Sequence, residues 1–291
     1  MLRLVLPKGS LEKATLELFT QADLSVSRTS DVDYRGKVDD PRIDEVRILR
    51  PQEIANYVAE GRFDVGITGR DWIEETGANI LSLGELQYSK ATSNPIRIVL
   101  AVENDSPVQN PKDLKPNLRV STEYPVLTRR YFESLGIPAQ IALSHGATEA
   151  KVPDIADAIV EITETGRAIR AAGLRIIDTI LVSYTEVVAN PEAARDPAKL
   201  HAMTQIMTLL TGALKARANV LVKLNVGEAD LNSVIETLPF MKAPTISKLY
   251  GDVGYAVEAV VARSQINTLI PALKDAGATD ILEIPLSKIV P

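Results

Sequence analysis

The chain has 291 residues, 45% hydrophobic and 24% charged, which suits two or three compact units with good cores rather than a disordered polymer. Its net charge of −6 argues against a general nucleic-acid or membrane-surface binder, which would favour a basic balance. The lack of cysteine excludes disulfides, thiolate metal sites and a cysteine nucleophile.

The opening LRLVLP (2–7) reads as a short buried strand and GSLEKATLELFTQAD (9–23) as a helix. Leu4-Val5-Leu6 is too short an apolar stretch for a signal peptide, and no run reaches the roughly 18 apolar residues of a membrane helix, so a cytoplasmic protein is expected. Strand-like and helix-like segments then alternate. VRILRP (46–51) leads to QEIANYVAEG (52–61), and FDVGITG (63–69) to RDWIEETG (70–77). IRIVLAVE (96–103) opens a second series, in which LRVSTEYP (118–125) precedes VLTRRYFESLG (126–136) and QIALSHG (140–146) precedes DAIVEITETGRAIR (157–170). This order implies an α/β protein with crossover units on largely parallel sheets.

Two stretches suggest a division into lobes. LGELQYSKATSNP (83–95) is polar and helix-poor, and LRIIDTILVSYTEVVANPEAA (174–194) is a β-rich return. One lobe is therefore expected from 1–90 with 185–217 and a second from 91–184, with a cleft between them where ligands favour the carboxyl ends of strands. DPAKLHAMTQIMTLLTGALKARA (196–218) has helical spacing with one buried face. Residues 218–291 then read β-α-β-β-α-β, a ferredoxin-like unit of the kind that binds a small regulator or a neighbouring subunit.

The stretch ITETGRAIR joins a strand to a helix through two threonines and a glycine, so amides and hydroxyls converge where a phosphate monoester fits. Glu161 and Glu164 suit the ligand's other groups, ribose hydroxyls or Mg²⁺ on a pyrophosphate. The plainer alternative makes Thr165 an N-cap and the glutamates solvated. Lys8, in PKGS at the end of the first strand, is either a phosphate contact or an exposed turn lysine. In DVGITGRD (64–71), Gly66 and Gly69 allow a ligand near the backbone or simply make a tight connection. Tyr124 with Thr128, Arg129 and Arg130 suits a purine and its phosphates, though a cationic helix face is also ordinary. His145 and His201 are too separated for a metal site, and no nucleophile and base stand together, which fits catalysis by positioning and charge stabilisation.

With these pieces assembled, the chain resembles the ATP phosphoribosyltransferase family in its long, regulated form. The blocks that carry the resemblance are PKGSL (7–11), LRPQEI (49–54), DVGITGRD (64–71), YPVLTRRYF (124–132), SHGATEAK (144–151), DAIVEITETGRAIR (157–170) and LPFMKAPTIS (238–247). The resemblance implies a two-lobed catalytic core like that of periplasmic binding proteins, followed by a C-terminal ferredoxin-like regulatory domain. It implies that N1 of the ATP adenine attacks C1 of phosphoribosyl pyrophosphate with Mg²⁺, releasing pyrophosphate in the first step of histidine biosynthesis. Lys8, Arg50 and Glu161 would then be catalytic. Asp157, Glu161, Thr163, Glu164, Thr165, Gly166, Arg167 and Ala168 would bind phosphoribosyl pyrophosphate, and Lys8, Gly9, Asp71, Tyr124, Thr128 and Arg129 would bind ATP. Histidine would inhibit near Ala243, Thr245 and Thr279, and dimers would assemble into hexamers.

Three positions depart from the family's pattern. Ala168 stands where threonine is usual, Ser10 where arginine is frequent, and Phe240 where the last domain usually has glycine. Two other readings stay open: a non-catalytic regulatory paralogue, and a two-lobed solute-binding protein.

Overall fold

The computed structural model describes residues 1–30, 32–88, 95–239, 241 and 243–290. Phe240, and residues 89–94 of the polar stretch at 83–95, lie outside the described residues. The chain divides into two compact units, Met1–Phe19 with Leu24–Met207, and Thr20–Asp23 with Thr208–Pro291.

In the first unit, β1 (Leu2–Pro7) leads to α1 (Glu12–Gln21), the short strands β2 (Val26–Ser27) and β3 (Arg35–Val38), and β4 (Ile43–Leu49). Next come α2 (Pro51–Ala59), β5 (Val65–Gly69), α3 (Arg70–Thr76) and β6 (Leu81–Leu86). A second series holds β7 (Ile96–Glu103), β8 (Leu118–Thr122), α4 (Pro125–Leu135), β9 (Ala139–Leu143), β10 (Ala158–Thr163), α5 (Arg167–Ala171) and β11 (Leu174–Ser183). After the single residue Tyr184 the chain enters β12 (Thr185–Ala189), and then the long helix α6 (Pro197–Arg217).

The strands make two sheets, ordered β2-β3-β4-β1-β5-β12-β6 and β11-β7-β10-β8-β9. The sequence leads one to expect largely parallel sheets, but both are mixed. β4, β1 and β5 run parallel, as do β10, β8 and β9, because helices or long loops return the chain between them. β12 is antiparallel to β5 and β6, and β7 is antiparallel to β10 and β11. These are strands next to the crossings between sheets, where the chain enters without a returning helix. β5 is buried throughout, as an inner strand covered on both faces should be. In the second sheet Ile98, Leu100, Val120 and Val160 pack with Tyr124 and Phe132 of the α4 segment.

The second unit contains β13 (Asn219–Val226), α7 (Leu231–Thr237), β14 (Thr245–Lys248), β15 (Tyr255–Ala262), α8 (Ile266–Asp275) and β16 (Ala278–Pro285). Its sheet order, β14-β15-β13-β16, with every pairing antiparallel, is that of the expected ferredoxin-like unit. β13 alternates buried and half-buried positions, so Val220, Val222, Leu224 and Val226 form one apolar face, packed with Leu269 and Leu273 of α8.

Candidate active site

Lys8, Gly9 and Arg50 are far apart in sequence, and the parallel pairing of Pro7 with Leu49 brings them together at the carboxyl ends of β1 and β4. Gly9 has φ +88, and a Cβ built there would stand 3.7 Å from Nη1 of Arg50. The Lys8 ammonium lies 4.1 Å from the centre of the Tyr34 ring, a cation–π contact that restrains it. The Gly9 amide donates to the Glu12 carboxylate at 3.3 Å, and Glu12 also pairs with Arg28 at 2.9 Å. Arg28 is thus a further cation beside this corner that the sequence did not single out.

Across the cleft, β10 ends at Thr163, and its hydroxyl accepts the Gly166 amide at 2.7 Å. Gly166 caps α5 with φ +72, a left-handed conformation that glycine adopts without the Cβ penalty. One amide of the turn is therefore used internally, and the Arg167 amide leans on the Thr165 hydroxyl at 3.4 Å. The next amides, of Ala168 and Ile169, have no acceptor within the helix because they belong to its first turn. A phosphate here rests on turn amides and hydroxyls, since a helix of five residues has little macrodipole. Glu161, two residues before Thr163, is pushed above the usual carboxylate range by burial, against hydrogen bonds from the Ile162 amide and the Thr148 hydroxyl.

Between these corners lies a cavity of about 310 Å³, lined by Ser10, Pro51, Gly69, Asp71 and Trp72 from the first sheet's segments. Ile96, Ile162, Thr163 and Glu164 line it from the second, and Ser183, Tyr184 and Thr185 from the crossing. Asp71 is almost fully buried; it accepts from the Ser183 hydroxyl at 2.8 Å and the Tyr124 hydroxyl at 2.9 Å. Burial pushes its carboxyl upward, and these two bonds only partly offset that. The Tyr124 ring stacks obliquely on Trp72 with centroids 4.7 Å apart. Trp72, the single tryptophan, is a lining residue that sequence reasoning missed; its position beside Asp71 was the available signal.

Several expected residues stand elsewhere. Asp157 precedes β10 at its amino end, roughly 20 Å of strand away from Thr163, and its carboxylate is held by the Arg119 amide and guanidinium. It is not brought to the phosphate loop. Tyr124 is 1% exposed and Thr128 is fully buried, bonded to the Thr122 hydroxyl at 3.4 Å, so both belong to the wall behind the cavity rather than to its surface. Arg129 is exposed on α4. In the second unit Thr245 is on β14 and Thr279 on β16, opposite edges of the sheet and about 14 Å apart by strand spacing, so Ala243 and Thr245 do not share one pocket with Thr279 within a chain. Among the described residues no three His, Asp or Glu side chains converge as a metal cage.

Comparison with known proteins gives a consistent picture. Residues 50–212 match the family model described as ATP phosphoribosyltransferase, and residues 216–288 match the model of the C-terminal domain of that enzyme. An ATP phosphoribosyltransferase of Pelotomaculum thermopropionicum is 46% identical over 100% of this chain and 99% of its own length. One from Desulforudis audaxviator is 44% identical over the same shares. Among solved structures, a chain from the ATP phosphoribosyl transferase (HisG:HisZ) complex of Thermotoga maritima superposes with TM-score 0.60 at 27% identity, covering 71% of this chain and 98% of that one.

Proposed function

This chain belongs to the ATP phosphoribosyltransferase family, a family of pentosyltransferases, and we propose that it joins ATP to 5-phosphoribosyl 1-pyrophosphate in the first step of histidine biosynthesis. The observation that carries the reading at the site is the turn that begins at Thr163, whose Thr163 and Glu164 line a cavity also lined by Ser10 and Pro51, the chain neighbours of Gly9 and Arg50. The turn holds the ribose 5-phosphate through the Ala168 amide and the Thr165 hydroxyl, and Glu161 accepts from the ribose hydroxyls. Ala168 therefore serves through its backbone, and the missing threonine hydroxyl is not required.

Lys8, with Arg50 beside it, meets the departing pyrophosphate and stabilises the charge that develops on its bridging oxygen as the C1–O bond breaks. N1 of adenine forms the new bond to C1. Mg²⁺ enters as the counter-ion of the pyrophosphate substrate. Trp72 is an aromatic surface that the cavity offers to the adenine, alongside Tyr88 and Tyr184, and Asp71 and Tyr124 fix the segment that presents it. The reaction takes place in the cytoplasm, and histidine inhibits it through the C-terminal unit of an oligomer.

The test is pyrophosphate release by the purified protein with Mg²⁺, ATP and phosphoribosyl pyrophosphate, omitting each in turn and then adding histidine. Release that requires all three and is lost in Lys8→Glu supports the reading. Ligand binding without release would make the chain a binding or regulatory relative instead, and unchanged release with histidine would remove the inhibition.

A further inference from the structure

Beyond that assignment, and resting on it for the identity of the ligand, we propose that Glu75 is a positioning residue for ATP. It caps α4 from the other lobe and so holds the Trp72 ring where the cavity meets adenine. Glu75 lies in the last turn of α3, the helix that follows β5 of the first sheet, whereas α4 packs on the second sheet. Its two carboxylate oxygens accept separately, one from the Val126 amide at 3.0 Å and the other from the Leu127 amide at 2.8 Å.

The amides at the start of α4 show why an acid is needed there. The first four N–H groups of a helix have no partner within it. At the N-cap, the Tyr124 amide donates to the Thr122 hydroxyl at 2.9 Å, but its side chain makes no bond to the helix that follows. Pro125, at the first position, has no N–H to satisfy. The Thr128 amide is the first to close within the helix, on the Tyr124 carbonyl at 2.9 Å. Val126 and Leu127 are what remains, and one carboxylate of the other lobe takes both, a charged acceptor for two neutral donors. Parting the lobes at this wall would strip the two amides and the acid together.

The same side of α3 carries the cavity's tryptophan. Positions 71, 72 and 75 stand three and four residues apart, so their side chains are neighbours on the helix surface. All three engage the start of α4, Asp71 and Trp72 through Tyr124 and Glu75 through the next two amides. At the opposite end of α3, the Arg70 amide donates to the Tyr184 carbonyl at 2.9 Å and the Asp71 amide to the Ser183 hydroxyl at 3.0 Å. The start of α3 is thus tied to the crossing between the sheets and its end to α4, with Trp72 between the two ties. A cap that served α4 alone could come from any neighbouring segment, but this one comes from the turn that presents Trp72.

The experiment compares wild type, Glu75→Gln, Glu75→Ala and Gly136→Ala, each checked for fold by thermal melting. Glutamine has the shape of glutamate but a single acceptor oxygen, so one α4 amide is left facing its NH₂ group. Gly136 ends α4 at φ +69 with open space around it, so Gly136→Ala weakens the same helix from its far end without touching α3. Trp72 is the protein's single tryptophan, and acrylamide quenching of its emission in the ligand-free proteins reads the freedom of that ring directly. The expected result is faster quenching in both Glu75 variants and none of that change in Gly136→Ala. In turnover, KM for ATP rises about three- to tenfold in the Glu75 variants while kcat and KM for phosphoribosyl pyrophosphate hold, the pattern of lost substrate binding. Unchanged quenching in the Glu75 variants, an unmoved KM for ATP, or the same rise in Gly136→Ala would each overturn the proposal. If wild type releases no pyrophosphate, the functional reading fails, and the quenching still decides whether Glu75 holds Trp72.

Discussion

In the first sheet Asp64 precedes β5, and in the second Asp157 precedes β10; each is clasped by an arginine of the neighbouring parallel strand in the same way. Arg3 donates its amide to Asp64 at 2.8 Å and its Nη2 at 3.2 Å, and Arg119 makes the same two bonds to Asp157 at 2.8 and 2.7 Å. Each aspartate returns its own amide to the arginine carbonyl at 2.9 Å. The carboxyl ends of the same two strands differ. β5 passes at once from Gly69 into α3, and the acid that follows, Asp71, is buried. β10 instead puts Glu164, Thr165 and Gly166 before its helix, with Thr165 exposed. An aspartate at the start of such a strand is thus a clasp of the fold, while the opposite ends differ: the lengthened one after β10 exposes turn groups, and the short one after β5 reaches the cavity through Gly69, Asp71 and Trp72. This is why Asp157, expected to bind phosphoribosyl pyrophosphate, is instead the counterpart of Asp64.

The same kind of substitution at the two carboxyl ends should therefore give opposite readouts. Gly166→Val forces a branched residue to φ +72 and brings its Cβ to 2.7 Å from Arg170 Nη1. Turnover should fall by about 100-fold or more, beyond the about 1–3 kcal/mol of stability that the strained backbone costs, measured on protein still folded at the assay temperature. Gly69→Ala places a Cβ 2.1 Å from the Asp71 carboxylate, so it must expel a buried, doubly bonded group. Urea unfolding should show a loss of about 2–3 kcal/mol. If Gly69→Ala left stability intact and removed only turnover, the contrast between the two ends would collapse.

The clasps can be ranked in turn. Asp64, with its side chain only 3% exposed, also accepts from Lys199 at 2.9 Å. Burial works to raise its carboxyl, but the bonds from Arg3 and Lys199 outweigh this and hold it below the ordinary range. A lowered value contributes stability that is present above the unfolded value of about 3.9 and lost as pH falls through the folded one. Asp64→Asn should cost about 2 kcal/mol at neutral pH, less than the roughly 3–5 of a sealed ion pair because Arg3 and Lys199 still reach solvent, and should flatten acid unfolding below about pH 4.

Tyr124→Phe should cost about 1 kcal/mol at pH 7 by removing a donor from Asp71. Asp71 is raised in the fold, so its contribution is complete below the unfolded value and is lost as pH rises. The gap between variant and wild type should accordingly widen from pH 4 to pH 7 in paired thermal melts. The smallest effect belongs to Asp157→Asn. Its half-exposed clasp should change the melting temperature little, and KM for phosphoribosyl pyrophosphate should not move.

What the sequence made legible was what local pattern determines. Aliphatic runs such as LRLVLP and AIVEIT marked strands, and the order of segments after residue 218 marked the ferredoxin-like unit. β2 and β3 escaped notice because two and four residues, mostly polar, carry no periodic signal. β6, LSLGEL, was hidden in part by the polar stretch into which it runs. The meeting of Lys8 with Arg50 depends on strand register, and that of Asp71 with Tyr124 and Ser183 on three separate segments. Such proximity is a tertiary property, and a linear pattern does not encode it. The loop around Gly166 was legible because its chemistry is contiguous.

β12 lies between β5 and β6 and pairs with both, Thr185 standing opposite Leu86. The whole second sheet lies in the chain between those two partners. As the polypeptide leaves the ribosome, residues 96–183 can complete their own sheet before β12 has been made, whereas the earlier-made β5 and β6 must wait for it. Synthesis order is thereby reversed in assembly. The amino-terminal lobe closes last, and the cavity, lined by Ser183, Tyr184 and Thr185 at that late junction, comes into being only with its closure.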